Sequence, residues 1–143
     1  MEFSGVTEIL GGVKVLQREI HNRMDFIELS NNGISKFSLL LLAKYLDLSL
    51  SQMAQLLAIT ERTIQRYTPE THFNRIVSEQ ILQIAEVAAR GTNVFGDKDK
   101  FRLWMNQPNK ALADLPPIRL MGSRFGTEMI LDELGRIDYG VFS

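Results

Sequence analysis

Apolar residues recur along this chain at spacings of three and four, and no stretch alternates apolar and polar residues long enough to build a sheet. The pattern therefore predicts an all-α protein. From Val6 to Leu29 it gives a short apolar turn ending at Gly11-Gly12, then an amphipathic stretch carrying Val13, Leu16, Ile20 and Met24. Asn31-Asn32-Gly33 is a break, because Asn and Gly tolerate left-handed backbone. Helices follow from about Ser35 to Leu46, Leu50 to Leu57 and Glu61 to Tyr67, the last kept short because Pro69 pushes Thr68 out of helical geometry. A long helix is predicted from about Arg75 to Arg90, with Val77, Ile81, Ile84, Ala85 and Ala88 on its buried face and Gly91 as its stop. Asp97 should cap a short helix bearing Phe101, Trp104 and Met105. Breaks at Gln107-Pro108-Asn109 and Pro116-Pro117 precede a final helix from about Arg124 to Ile137, whose Phe125, Met129, Ile130, Leu134 and Ile137 are placed on one side.

These breaks divide the chain into a helical segment over 1–34, a helix-turn-helix region over 35–75, a connecting helix over 76–93 and a C-terminal module over 94–143. At 143 residues, with 45% hydrophobic and 23% charged residues, the chain can bury a sizeable core without disulfide or metal. It has no cysteine and only two histidines, His21 and His72. Thiol chemistry is excluded, a dedicated metal site is disfavoured, and no cofactor is expected. The histidines read as surface or satisfied residues. The start MEFSGVTEIL lacks the basic and apolar regions of a signal peptide, and the Leu39–Leu42 run is too short to span a bilayer, so a cytoplasmic protein without membrane contact is expected.

The formal net charge is −1, but its distribution is uneven. Residues 1–35 carry −2, residues 36–75 carry +2 and residues 76–143 carry −1. The middle segment alone is positive. So small an excess would hold nucleic acid weakly in one copy, so useful binding would need several copies acting together.

That positive segment contains the sharpest motif, LSQMAQLLAITERTIQRY from Leu50 to Tyr67. Two helices crossing steeply need a small residue at the crossing, here Ala54. They also need apolar residues that meet between them, here Met53, Leu57, Ile59, Ile64 and Tyr67. Ser49 and Gln52 have capping-box spacing, and Thr60 suits the N-cap of the second helix. Ala58 stands at the turn where such motifs usually place Gly; left-handed backbone there would cost about 1 kcal/mol. The second helix would turn Thr60, Glu61, Arg62, Gln65 and Arg66 outward. Arg pairs with guanine, Gln with adenine and Glu with cytosine in a major groove, while Thr63 and Lys44 could touch phosphate. The alternative is a plain helix pair with a solvated polar face.

Elsewhere, Trp104 with Phe95 and Phe101 reads as the core of a small subdomain or as an interface anchor. Leu39–Leu42 reads as central core or a dimer contact. Glu128, Asp132 and Glu133 read as a solvated face rather than catalytic carboxylates, and no nucleophile, phosphate loop or metal spacing points to an enzyme. The end, Asp138-Tyr139-Gly140-Val141-Phe142-Ser143, leaves Tyr, Val and Phe without polar cover. It either folds back on the core or plugs a partner's pocket.

In order and spacing, several elements together resemble the Xre, MbcA and ParS antitoxins paired with RES-domain toxins. They are Leu10-Gly11-Gly12, Gly33-Ile34, Arg62-Thr63-Ile64-x-Arg66, Val94-Phe95-Gly96-Asp97, Trp104-Met105, Pro108-Asn109-x-Ala111-Leu112, Pro117, and Gly126 through Leu134-Gly135-Arg136-Ile137-Asp138-Tyr139-Gly140-Val141. The sequence departs at Ala58, at Gln80 where Arg is frequent, at Gly122-Ser123 where Thr is common, and at Pro69. The resemblance implies a non-enzymatic antitoxin that covers a RES toxin, an NAD-consuming enzyme, and blocks its active site with the final helix and tail. It also implies repression of its own operator DNA. Trp104, Arg136, Tyr139, Gly140, Val141 and Phe142 are the toxin-binding candidates, and the assembly would be a homodimer or a hetero-oligomer with the toxin. The competing reading is a plain helix-turn-helix transcriptional regulator without a toxin partner.

Overall fold

A computed structural model describes residues 2–140 of the chain. Val141 and Phe142, two of the tail candidates, lie outside the described residues. The architecture is helical: α1 Glu2–Ile9, α2 Val13–Leu16, α3 Arg23–Asn32, α4 Lys36–Leu46, α5 Leu50–Leu57, α6 Glu61–Arg66, α7 Arg75–Phe95, α8 Lys98–Met105 and α9 Arg124–Asp138, with 3-10 turns at Lys110–Leu112 and Pro117–Leu120. Among the described residues, extended pairing is limited to isolated bridges between Ser35 and His72 and between Asn109 and Leu115. No described helix is long and apolar enough to cross a membrane.

The longest helix, α7, is the axis on which α1, α3, α8 and α9 pack. The predicted stripe of Val77, Ile81, Ile84, Ala85 and Ala88 is buried, joined by Leu82, Val87 and Ala89. Burial on so much of its circumference is what a central helix requires. Leu39 and Leu42 are fully buried in the same core, as the core reading of the leucine run expects.

Three local expectations need correction. First, Gly91 does not stop α7. The helix runs four residues further, to Phe95, and ends at Gly96 in left-handed backbone, φ 73°. Gly91 is instead a contact point, because a Cβ there would stand 2.1 Å from the ring of Phe101, which is fully buried. Second, the stretch from Val13 to Met24 is not one amphipathic helix. Gln17 takes left-handed backbone, φ 60°, and α3 begins afresh behind an Asn22 capping box. In that box Asp25 accepts from the amides of His21 and Asn22. The His21 amide above all holds its carboxyl below the usual range. Val13 and Met24 are exposed as a result. Third, the apolar residues of α9 do not share one face. Gly126, Ile130 and Leu134 are buried, whereas Phe125 and Met129 point outward. Within the acidic group on that helix, Glu128 and Asp132 are exposed, but Glu133 is buried and accepts from Arg136 Nε at 2.8 Å.

Adding a methyl at Gly91 forces Phe101 off its seat. Gly91→Ala should lower stability by about 2–3 kcal/mol, read as a drop in the urea midpoint at constant slope.

Candidate functional site

Two exposed surfaces carry the candidate residues, one on α6 and one on α9. The first is built by α5, a left-handed turn and α6. Ser49 and Gln52 form the capping box of α5, each side chain bonding the other's amide at 3.1 and 2.9 Å. Ala58 follows at φ 54°, ψ 37°, left-handed backbone carried by a residue with a Cβ. Thr60 then caps α6, its hydroxyl accepting from the Thr63 amide at 3.1 Å. Met53, Ala54, Leu57 and Ile64 are buried where the two helices meet, and Ile59 and Tyr67 pack at the margin. The expected arrangement of small and apolar residues is therefore present in space.

The far end of α6 is held as firmly as its start. The Lys36 ammonium donates to the Tyr67 carbonyl at 2.8 Å, and the amides of Lys36 and Phe37 donate to the carbonyls of Thr71 and Pro69, both at 2.9 Å. Pro69 thus ends α6 and also supplies the acceptor that straps the following loop to α4. On the outward side, the Gln65 amide donates to Glu61 at 3.1 Å, and the Thr60 and Thr63 hydroxyls are paired at 2.8 Å. Arg62 and Arg66, one turn apart and exposed, have no side-chain partner among the described residues. The structure brings Thr60, Glu61, Arg62, Thr63, Gln65 and Arg66 together on one short helix. Lys44 stands apart from them, in a hollow lined by α1, α4, α7 and the start of α8.

The second surface is the outer side of α9. At 100° per residue, Phe125, Met129, Asp132, Arg136 and Tyr139 fall within an arc of about 80°. Phe125 is 78% exposed and Tyr139 81%, with Met129 exposed between them. The Arg90 guanidinium pairs with Asp138 at 3.2 Å, fixing the end of α9 against α7. Arg136 is half-buried and tied to Glu133. Trp104 is half-buried on α8, its ring 5.6 Å from Phe95 and 6.4 Å from Phe101. It belongs in part to the subdomain core and does not lie on the α9 stripe. Phe125 and Met129 are members of this surface that the sequence pattern placed on one side of the helix with Ile130, Leu134 and Ile137. The polar neighbours Arg124 and Glu128, paired at 3.2 Å across the same exposed turn, were the signal that this turn faces water. No group of three or more His, Cys, Asp or Glu suited to a metal occurs among the described residues.

Comparison with known proteins places both surfaces in recognised domains. Residues 25–86 match the antitoxin Xre-like helix-turn-helix domain, and residues 90–140 match the antitoxin Xre/MbcA/ParS C-terminal toxin-binding domain. The antitoxin Xre of Yersinia enterocolitica is 35% identical over 79 residues, covering 54% of this chain and 49% of that protein. The antitoxin Xre of Photorhabdus laumondii is 28% identical over 80 residues, covering 55% of this chain and 54% of its own. The match thus spans about half the length of these curated relatives. A chain of the crystal structure of the M. tuberculosis MbcT–MbcA toxin–antitoxin complex superimposes with a TM-score of 0.53 at 16% identity, over 87% of this chain and 100% of that one. At that identity the likeness concerns the fold.

The left-handed turn supplies a direct check on the helix-turn-helix geometry. Ala58→Gly relieves the Cβ clash and should raise stability by about 1 kcal/mol in chemical unfolding, without changing the far-ultraviolet circular dichroism spectrum.

Proposed function

We propose, from the membership of this chain in the Xre/MbcA/ParS antitoxins by both of its domains, that it is the neutralising half of a toxin–antitoxin pair and a repressor of its own operon. The observation that carries the reading is the outer face of α9. Phe125 at the start of α9 and Tyr139 at its C-cap are each about four-fifths exposed, on the side that also presents Met129, inside the stretch matched to a toxin-binding domain. Isolated exposed apolar residues need no explanation, but Phe125 and Met129 one turn apart, with Tyr139 on the same side, do. Such anchors supply most of the energy of a protein interface when they enter a partner's pocket.

The partner on this reading is a RES-domain toxin that consumes NAD. Phe125 and Met129 seat α9 on it. Arg136, Tyr139 and Gly140 carry the chain toward its active site, Val141 and Phe142 continue the plug, and Trp104 contributes its accessible edge. Because α9 is fastened to α7 by Ile130, Leu134 and the Arg90–Asp138 pair, the Phe125–Met129 face of the helix arrives preorganised and loses little ordering entropy on binding. The chain itself does no chemistry; it excludes substrate.

The α6 surface serves the second role. Arg62 and Arg66, without a side-chain partner among the described residues, offer guanidinium donors suited to guanine edges, and Gln65 and Glu61 lie beside them. With two cations on the reading helix, one copy binds weakly, and occupancy of two half-sites by a homodimer or by a hetero-oligomer with the toxin supplies the rest.

Co-expression with the protein encoded beside it tests the first role. The wild-type chain should co-purify with that toxin and prevent NAD loss in cells. Phe125→Glu with Met129→Glu should weaken the complex at least tenfold, and deletion of Tyr139 to Ser143 should restore NAD consumption. A truncated chain that inhibits as well as wild type sinks the plug. For the second role, Arg62→Ala with Arg66→Ala should cost about 2–4 kcal/mol of operator affinity at fixed salt. An unchanged affinity would remove α6 as the reading helix.

A further inference from the structure

The hollow that holds Lys44 lies apart from both the α6 and the α9 surfaces. It is an open cleft of about 760 Å³, within the size range of ligand sites, and it is walled by α1, α4, α7 and α8. Lys44 reaches it from the last turn of α4, and Lys98 and Arg102 from the first turns of α8, while Glu8 is the one carboxylate on its lining. The three cations are not equivalent. Arg102 is structural: its Nε donates to the Tyr45 carbonyl at 2.7 Å, one terminal nitrogen to the Lys44 carbonyl at 3.2 Å, and the other pairs with Asp99 at 3.2 Å. It thereby fastens α8 to the end of α4. The ammonium groups of Lys44 and Lys98 have no carboxylate partner among the described residues. Lys98 lies over the Tyr45 ring, 5.5 Å from its centroid.

The polar groups between them fix the kind of ligand. The Tyr45 and Thr92 hydroxyls are 2.6 Å apart. One proton lies between the two oxygens, so the accepting hydroxyl keeps its own proton to donate onward. The cleft therefore offers two point charges and one spare O–H donor, set against the single Glu8 carboxylate and the Asn93 amide on its lining. The Tyr45 face is taken by the Lys98 ammonium, which leaves no aromatic platform for a nucleobase. Donors and cations without a stacking surface select an oxyanion of multiple charge, and lysine is a point-charge binder of phosphate.

We infer that this cleft is a phosphate-binding site, shared between the two halves of the chain, with Lys44 and Lys98 as its charges and the Tyr45–Thr92 pair as its hydrogen-bond donor. Phosphate can reach it in the backbone of DNA or on a soluble molecule, and the test separates these sources.

The test uses the full chain with Lys44→Ala and Lys98→Ala combined, both positions being exposed and free of structural bonds through the ammonium. Inorganic pyrophosphate is titrated by calorimetry and by amide chemical shift, and DNA from the chain's own promoter is titrated across a salt series. In the first arm, wild type should bind pyrophosphate with shifts at Tyr45 and Thr92, and the double variant should bind at least tenfold more weakly, with Lys→Arg at both positions restoring affinity. In the second arm, DNA phosphate in the cleft lowers the salt slope of the variant by about 2. Loss of pyrophosphate binding with an unchanged slope assigns the site to a soluble phosphate ligand. A chain that fails to bind promoter DNA but loses pyrophosphate in the variant keeps this site and refutes the repressor role. The inference is overturned if wild type shows no pyrophosphate-dependent shift in the cleft and the variant keeps the wild-type slope.

Discussion

Burial of the middle of α7, from Ile81 to Gly91, is the constraint on which the molecule rests. The helix-turn-helix match ends at residue 86 and the C-terminal match begins at residue 90, and both boundaries fall inside this one helix of 21 residues. The two domains therefore share an axis instead of a linker. A flexible joint would let them reorient, but a continuous helix with Val87, Ala88, Ala89 and Gly91 buried at the boundary does not. Opening it would expose those residues and break consecutive i to i−4 hydrogen bonds.

A second fastening reinforces the first. At the entry to α9, Gly122 has φ 100°, and a Cβ there would stand 2.4 Å from the Leu56 carbonyl of α5. The Gln80 side chain donates to the Gly122 carbonyl at 3.0 Å. Gln80 and Gly122 lie 42 positions apart in sequence, and in space they are one contact. They form a joint in which a neutral amide meets backbone, and α5, α7 and α9 converge on it.

The parts legible in the sequence are those with short-range causes. The Ser49–Gln52 box, the Thr60 and Asp97 caps, the Pro69 stop and the left-handed Ala58 all follow from residues within four positions of one another, and the structure has them. The outward set on α6 was legible for the same reason. The errors share a different cause. Gly91 could equally end a helix or admit a ring, and only Phe101, ten residues on, decides which. On α9, apolar residues spread over more than one face, and the helical period does not say which face α7 covers. The break at Gln17 had no cue, since neither Gly nor Pro marks it; a capped restart at Asn22 was the available sign.

Charge shows the same dependence on placement. A sum of −1 argues against an anion-binding role, yet the sum includes many carboxylates already engaged. Arg18, Arg23, Arg75, Arg90, Arg124 and Arg136 each face a carboxylate, and such pairs contribute little field beyond their own neighbourhood. Subtracting them removes as much negative charge as positive, and what remains is local. Among the described residues, Arg62 and Arg66 on α6 have no carboxylate partner, and Lys44 and Lys98 around one cleft have none. The cations available to an anion are therefore set by which partners the fold has already given the others, and a net charge near zero is compatible with two distinct positive surfaces on one small protein.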